Sequence, residues 1–330
     1  MVGGGRGLTA ILGALVIAGC APATSTTVAP PHRTATPQAT PAPHAVGATL
    51  PPYAIATLRD RPRATGSIAV KEQIGSGPGY TKYHVTWASD GNTMTGVLDI
   101  PSGSGKFPVV LVNHGYAAVD QYYEGLDTAK YADPMASAGY LTISPSYPGY
   151  LGSGPPEPDV PSITAEAIAD IDLISELPTL PQADPFRVAV AGHSNGGGVA
   201  EILMTAVPAV RAAVLYAPVS SDMADSARRF WLRSPGGSGG VPNPDTNPTY
   251  YSLMSPRTWF SPDTPPALIM QGTVDQDIPA EWTAATVASL QAVGAQVKFV
   301  SFPGADHFFE NADLARANSL AIDWLHAYMG

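Results

Sequence analysis

Ser194 lies at the centre of Gly192-His193-Ser194-Asn195-Gly196, between an apolar run, Arg187-Val188-Ala189-Val190-Ala191, and a second run beginning Gly197-Gly198-Val199-Ala200. These flanks predict a buried strand before the pentapeptide and a helix after it. A serine on a strand-to-helix turn with glycine two residues away on each side tolerates no larger neighbours. Its hydroxyl is held out of the sheet toward a substrate. Such a hydroxyl is a candidate nucleophile, provided that a base takes its proton and a third group orients the base. The spacing alone is weak: with 33 glycines in 330 residues, chance matches to Gly-x-Ser-x-Gly number on the order of 0.2. A second match does occur, Gly236-Gly237-Ser238-Gly239-Gly240. Pro235 precedes it and Val241-Pro242-Asn243-Pro244 follows it, which predicts a flexible loop with neither strand nor helix. Ser194 is therefore the candidate nucleophile.

The surrounding pattern predicts a framework able to hold that turn. Tyr83–Trp87 and Met94–Ile100 are β-prone runs around Asp90-Gly91, a hairpin signal. Buried strands are expected at Phe107–Val112, Gly139–Ile143, Ala212–Tyr216, Ala267–Met270 and Val297–Val300. Helices are expected at Tyr122–Ala138, Ile163–Leu177, Ala280–Ala292 and Ala312–Tyr328, the second with Ile168, Ile171 and Ile174 on one face and acidic residues opposite. Alternation of this kind predicts an α/β fold, a mostly parallel sheet covered by helices on both faces. No internal repeat is present.

An antiparallel hairpin followed by β-α repeats, with the serine after a central strand, resembles the α/β-hydrolase order from Tyr83 to the C-terminus. Within that superfamily the chain is most similar to prolyl-oligopeptidase-like catalytic domains and dienelactone-hydrolase-like esterases. The resemblance implies the chain order nucleophile, acid, histidine. Two histidines follow Ser194. His326 sits inside the last helical pattern, whereas His307 lies in the turn Phe302-Pro303-Gly304-Ala305-Asp306-His307 past the last strand, where α/β ligand sites form. His307 is the candidate base. Gln271-Gly272-Thr273-Val274-Asp275-Gln276-Asp277-Ile278-Pro279 is similar to the family's G-x-x-D-x-x-V-P segment, with Ile278 for valine, and the aligned acid is Asp275. Asp277 is its competitor, and Asp306 is set aside because adjacent side chains diverge. Oxyanion donors are expected at two backbone N–H groups. One is that of Asn195, after the nucleophile; the other is that of Tyr116, in Asn113-His114-Gly115-Tyr116, which resembles the family's H-G-(aromatic) turn. Tyr116's ring is expected to line the acyl site, and His114 and His193 to support their turns.

Net charge of −10 and a pI near 5.0 leave no basic excess for nucleic acid. No glycine-rich phosphate loop, metal-ligand cluster or dinucleotide fingerprint is present, so no cofactor is expected. Residues 1–19 carry one positive charge, Arg6, and then an apolar stretch too short to span a bilayer, as in a secretory signal. The stretch ends in Val16-Ile17-Ala18-Gly19-Cys20, which resembles a bacterial lipoprotein box with Cys20 as the acylated residue. Cys20 is the sole cysteine, which excludes internal disulfides. An exported protein held at the outer face of a membrane is the expectation, against an ordinary exported protein with a chance cysteine. Residues 20–52 are Thr-, Pro- and Ala-rich and predict an extended tether; His32 and His44 there are given no role. Residues 53–330 form the expected catalytic domain. Its segment 220–262, with Trp231, Tyr250, Tyr251 and Trp259, is either a cap over the site or an excursion packed on the body.

Three functions are weighed. The first is a serine hydrolase cleaving a carboxylic ester through an acyl-enzyme, with polyester or cell-wall acyl substrates as a variant. The second is a peptidase of the prolyl-oligopeptidase type acting on short peptides. The chain before Tyr83 is too short for that family's substrate-screening propeller, which tips the expectation toward esters. The third is a silent envelope-binding fold, which needs a broken triad that the residues do not show.

Overall fold

Asp90 and Gly91 both take positive φ, 47° and 76°, the hand that a two-residue hairpin needs to match the twist of its strands. They join β2 (Tyr80–Ser89) to β3 (Asn92–Pro101). The computed structural model describes residues 50–156, 160–233 and 241–330. The expected signal, Cys20, the first thirty residues of the tether and the second Gly-x-Ser-x-Gly match lie outside them.

Among the described residues the chain runs α1 (Ile55–Arg59), β1 (Ala69–Gly77), β2, β3, β4 (Phe107–Asn113), α2 (Ala129–Ser137), β5 (Leu141–Ser146) and α3 (Ser162–Glu176). It continues β6 (Ala183–His193), α4 (Asn195–Ala206), β7 (Val210–Tyr216), α5 (Met223–Arg229), α6 (Pro248–Met254), β8 (Ala267–Gly272), α7 (Ala280–Ala292), β9 (Val297–Phe302) and α8 (Asn311–Met329). The sheet order is β1-β2-β3-β5-β4-β6-β7-β8-β9. Pairs from β1 to β5 are antiparallel, and β5-β4 onward all pairs are parallel. This is the α/β-hydrolase arrangement, with an additional edge strand, β1, ahead of the predicted hairpin.

Successive residues of the central strands enter two separate cores, as the two-residue period of a strand requires. Val109, Leu111, Val188 and Val190 pack with α3 and α4 on one face, through Ile163, Leu173, Val199 and Leu203. Val110, Val112, Ala189 and Ala191 pack with α2 and α8 on the other, through Tyr131, Met135, Ala321 and Leu325. Burial on both sides explains why these strands read as continuous apolar runs.

One sequence expectation is corrected, and one helix face is placed. The predicted helix Tyr122–Ala138 is helical only over Ala129–Ser137; Asp127 has φ 65°, a conformation no α-helix contains, so residues 122–128 form a loop. The acidic residues of α3 do not face water: Glu166, Asp170, Asp172 and Glu176 are all buried. Asp172 is met by Arg61 Nη2 at 2.9 Å and by the Ser89 hydroxyl at 2.8 Å, while Glu166 turns toward Asn195. The helix therefore carries polar partners into the domain rather than a solvated stripe. No described helix is long and apolar enough to cross a membrane.

Candidate active site

β6 ends at His193 and α4 begins at Asn195, leaving Ser194 between them at φ 55° and ψ −116°. A non-glycine residue in that region costs on the order of 1–3 kcal/mol and persists only where its surroundings impose it. Two bonds to the β7 end do so: Ser194 N–H donates to the Tyr216 carbonyl at 3.0 Å, and its carbonyl accepts from Val219 N–H at 3.1 Å. A Cβ on Gly192 would overlap the Gly196 carbonyl, and one on Gly196 would overlap the Asn113 carbonyl. The glycine spacing is thus a steric requirement of this turn. Gly197 and Gly198 are bare for a further reason: Cβ atoms there would collide with Pro218 and Val219. Among the described residues no hydrogen bond holds Ser194 Oγ, which leaves the hydroxyl free to rotate.

The loops after β8 and β9 bring Asp275 and His307 together, with His307 Nδ1 2.9 Å from Asp275 Oδ2. Both side chains are nearly inaccessible, at 6% and 1% exposure. Asp275 Oδ1 is fixed by the backbone N–H groups of Asp277 and Ile278, each at 2.9 Å. Burial raises the Asp275 carboxyl, but hydrogen bonds from His307 and the Ile278 amide outweigh it and hold the group below its ordinary range. An ionised acceptor on Nδ1 leaves Nε2 as the basic nitrogen of His307. Asp277 is exposed and touches the site only through its N–H; Asp306 is also exposed, its carboxylate accepting from Phe308 N–H at 2.9 Å. His326 is an exposed residue of α8. Asp275, Asp277 and His307 present donor atoms within 4.8 Å of one another, the one such cluster among the described residues. In that cluster Asp275 accepts on both oxygens, and His307 Nδ1 faces one of them.

After β4 the chain turns through His114, Gly115 and Tyr116. Asn195 is the first residue of α4, so its N–H has no intrahelical acceptor, and Tyr116 N–H is likewise without a partner among the described residues. Tyr116's side chain is 83% exposed. His114 is a support: it is buried, burial lowers it to about 4, and its ring stacks on Tyr147 with centroids 3.9 Å apart.

The prolyl oligopeptidase family matches residues 170–330, the stretch that carries Ser194, Asp275 and His307. The chlorophyllase family matches residues 82–215, which carry Tyr116 and Ser194. The chain is a serine hydrolase of α/β-hydrolase fold. No curated protein matches it. Solved structures similar to the hydrolase include an acetyl xylan esterase from Paenibacillus sp. R4, at 15% identity and TM-score 0.62, covering 83% of this chain and 92% of that one. Acetyl xylan esterase 1 from Thermoanaerobacterium sp. JW/SL YS485 is 18% identical, with TM-score 0.57 over 83% of this chain and 91% of that one. Est1E from Butyrivibrio proteoclasticus, with ferulic acid bound, is 16% identical, with TM-score 0.58 over 73% and 97%.

In the hydrolase the aromatic residues of segment 220–262 pack on the body. Tyr251 is 1% exposed, Tyr250 lies 4.4 Å from Tyr53 between ring centroids, and Trp231 and Trp259 rest against the larger core. Its one described link to the acid loop is Arg229, which donates to the carbonyls of Asp277 at 2.9 Å and Gln276 at 2.8 Å.

Two groups close to the site escaped the sequence reading. Asp127 was hidden within a supposed helix, although Asp127-Thr128 just ahead of Ala129 is a helix-start signal. Glu166 was given no role from sequence, yet it accepts from the Asn195 side chain at 2.8 Å, beside the nucleophile. Burial pushes Glu166 up to about 7, only partly offset by the Asn195 hydrogen bond. The folded state therefore binds this proton more tightly than the unfolded chain, and stability falls as pH rises from the ordinary carboxylate range through about 7. Glu166→Gln keeps an oxygen for Asn195 and removes the charge. It is expected to be more stable than wild type at pH 8 by on the order of 2–3 kcal/mol, with the difference vanishing near pH 4. Denaturant unfolding of both proteins at the two pH values checks this; equal midpoints at pH 8 refute it.

Proposed function

We propose that the hydrolase cleaves carboxylic esters through an acyl-enzyme intermediate. The observation that carries this reading is the buried His307–Asp275 pair at the same sheet end as a strained serine at a helix N-terminus. Ser194 Oγ attacks the ester carbonyl as His307 Nε2 takes its proton. Negative charge develops on the carbonyl oxygen, which the free N–H groups of Tyr116 and Asn195 stabilise. Collapse of the tetrahedral species expels the alcohol, which receives the proton from His307. Water, deprotonated by the same nitrogen, then attacks the acyl-serine and releases the acid.

Esters are preferred to amides because the similar solved structures named above carry esterase names and are covered over more than nine-tenths of their length. The second reading is a peptidase, favoured by the prolyl oligopeptidase match over residues 170–330. Initial rates on an acetyl or butyryl nitrophenyl ester and on an aminoacyl or prolyl nitroanilide separate the two. Ester turnover without amide turnover supports the first reading; amide turnover that depends on Ser194 replaces it with the second.

We also propose export and acylation at Cys20, on the sequence Val16-Ile17-Ala18-Gly19-Cys20. Several acyl chains on one residue give stable anchoring where one is marginal. Cys20→Ala in a bacterial host is expected to move the protein from the membrane fraction to the soluble fraction. An unchanged distribution is the contrary result.

A further inference from the structure

Asp127, His193 and Lys130 form a polar cluster beside the proposed triad that takes part in none of the steps above. His193 is buried, and its two ring nitrogens meet two different acceptors. Nδ1 lies 2.7 Å from Asp127 Oδ2, and Nε2 lies 2.9 Å from the carbonyl oxygen of His307. Each nitrogen thus faces an oxygen of a different segment, one on the loop after β4 and one on the loop after β9. Asp127 Oδ2 also accepts the Gly115 N–H at 2.8 Å, one residue before the Tyr116 N–H. Asp127 Oδ1 pairs with Lys130 Nζ at 3.0 Å, and Lys130 Nζ donates to the Phe308 carbonyl at 3.4 Å. All of this happens next to the nucleophile: a Cβ on Gly115 would sit 3.3 Å from both His193 Nδ1 and Ser194 Cβ.

The sheet cannot set these loops relative to each other. The Tyr116 turn follows β4 and the His307 loop follows β9, and β6, β7 and β8 lie between those two strands. At about 4.8 Å per strand the two strand ends are separated by roughly 19 Å in the sheet, so a bridge made of side chains must register the loops. Local preference does not hold the segments either, because Asp127 and Phe309 both sit at positive φ, 65° and 52°. Burial raises the Asp127 carboxyl, but His193, Lys130 and the Gly115 amide outweigh it and hold the group far below the carboxylate range, as expected of an anchor that stays ionised.

We propose that Asp127 and His193 are positioning residues. They bridge the oxyanion turn and the base-bearing loop so that the Tyr116 N–H and the His307 ring converge on Ser194 Oγ. The proposal rests on the roles given above to Ser194, His307 and Tyr116.

A fluorophosphonate tests it independently of the substrate. Labelling forms the Ser194 Oγ–P bond and breaks P–F; the hydroxyl proton passes to His307 and fluoride leaves. In Asp127→Ala, the maximal labelling rate and the ester kcat are expected to fall about 100-fold, with the probe's half-saturation and KM within about threefold. Asp127→Asn keeps an acceptor for Gly115 N–H and is expected to recover about tenfold of that loss. Lys130→Met, which removes only the outer contact, is expected to lower both rates about threefold and serves where Asp127→Ala does not fold. Wild-type maximal rates in folded Asp127→Asn and Lys130→Met overturn the proposal, as does a loss confined to thermal stability. Labelling of the wild type at Ser194 with amide but no ester turnover overturns the ester reading alone and leaves the variant comparison decisive. Absence of labelling at Ser194 overturns both.

Discussion

Ser194→Ala is expected to lower kcat by about 10⁶-fold while leaving KM and the unfolding midpoint near those of wild type. The size of the effect follows from the lack of any substitute. No other hydroxyl occupies the strained position between β6 and α4, where the side chain is thrust clear of a sheet whose neighbouring atoms are glycine and backbone. Residual turnover is expected from the two proposed backbone donors, which still act on attack by water. Stability is spared because the hydroxyl holds no hydrogen bond among the described residues, and alanine removes a single oxygen. Turnover within about tenfold of wild type, measured on enzyme purified away from host hydrolases, refutes Ser194 as nucleophile.

Asp275→Asn is the second large effect, a fall in kcat of about 10⁴-fold. The direction follows from which atoms hold the side chain. Oδ1 lies 2.9 Å from two backbone N–H groups, those of Asp277 and Ile278, and these compel the amide oxygen of an asparagine to take the same place. Its NH₂ group then faces His307 Nδ1, which must accept instead of donate. The ring proton is driven to Nε2, the nitrogen that has to receive the proton of Ser194. The variant is thus folded and nearly isosteric, but it holds the wrong tautomer. Steady-state kinetics beside a thermal melt checks the pair of expectations. A kcat within tenfold of wild type shows that Asp275 is not the orienting acid and redirects attention to Asp277.

The elements read most easily from sequence are those with one dominant local cause. Asp90-Gly91 closes a hairpin because both residues tolerate positive φ, and the inner stretches Val109–Val112, Val188–Ala191, Ala212–Tyr216 and Ala267–Met270 are apolar without interruption because both faces are covered. The glycines around Ser194 are readable for the same reason: a close approach of backbone to backbone admits no side chain. Loop 122–128 was misread as helix, and the burial of the acidic residues of α3 was not legible. Gly125, at φ 81°, was a helix-breaking signal within that stretch, and Asp127 takes a left-handed conformation where it meets His193, Lys130 and Gly115. On α3 the spacing of the acidic residues does not show that they are buried; Asp172 and Glu166 meet Arg61, Ser89 and Asn195, partners brought from distant parts of the chain.

The elbow and the candidate nucleophile were legible in the sequence itself, since they depend on residues within a few positions of one another, and the resemblance to the hydrolase chain order pointed to the candidate acid and base. What only the tertiary structure decided is how separate loops meet. The His307–Asp275 hydrogen bond, the Glu166–Asn195 contact, and the bridge from Gly115 through Asp127 and His193 to His307 each join segments 29 or more residues apart, or, for Gly115–Asp127, opposite ends of one irregular loop. Such contacts leave no period or spacing in the chain, because the order in which strands assemble in the sheet, and not distance along the sequence, sets which loops become neighbours.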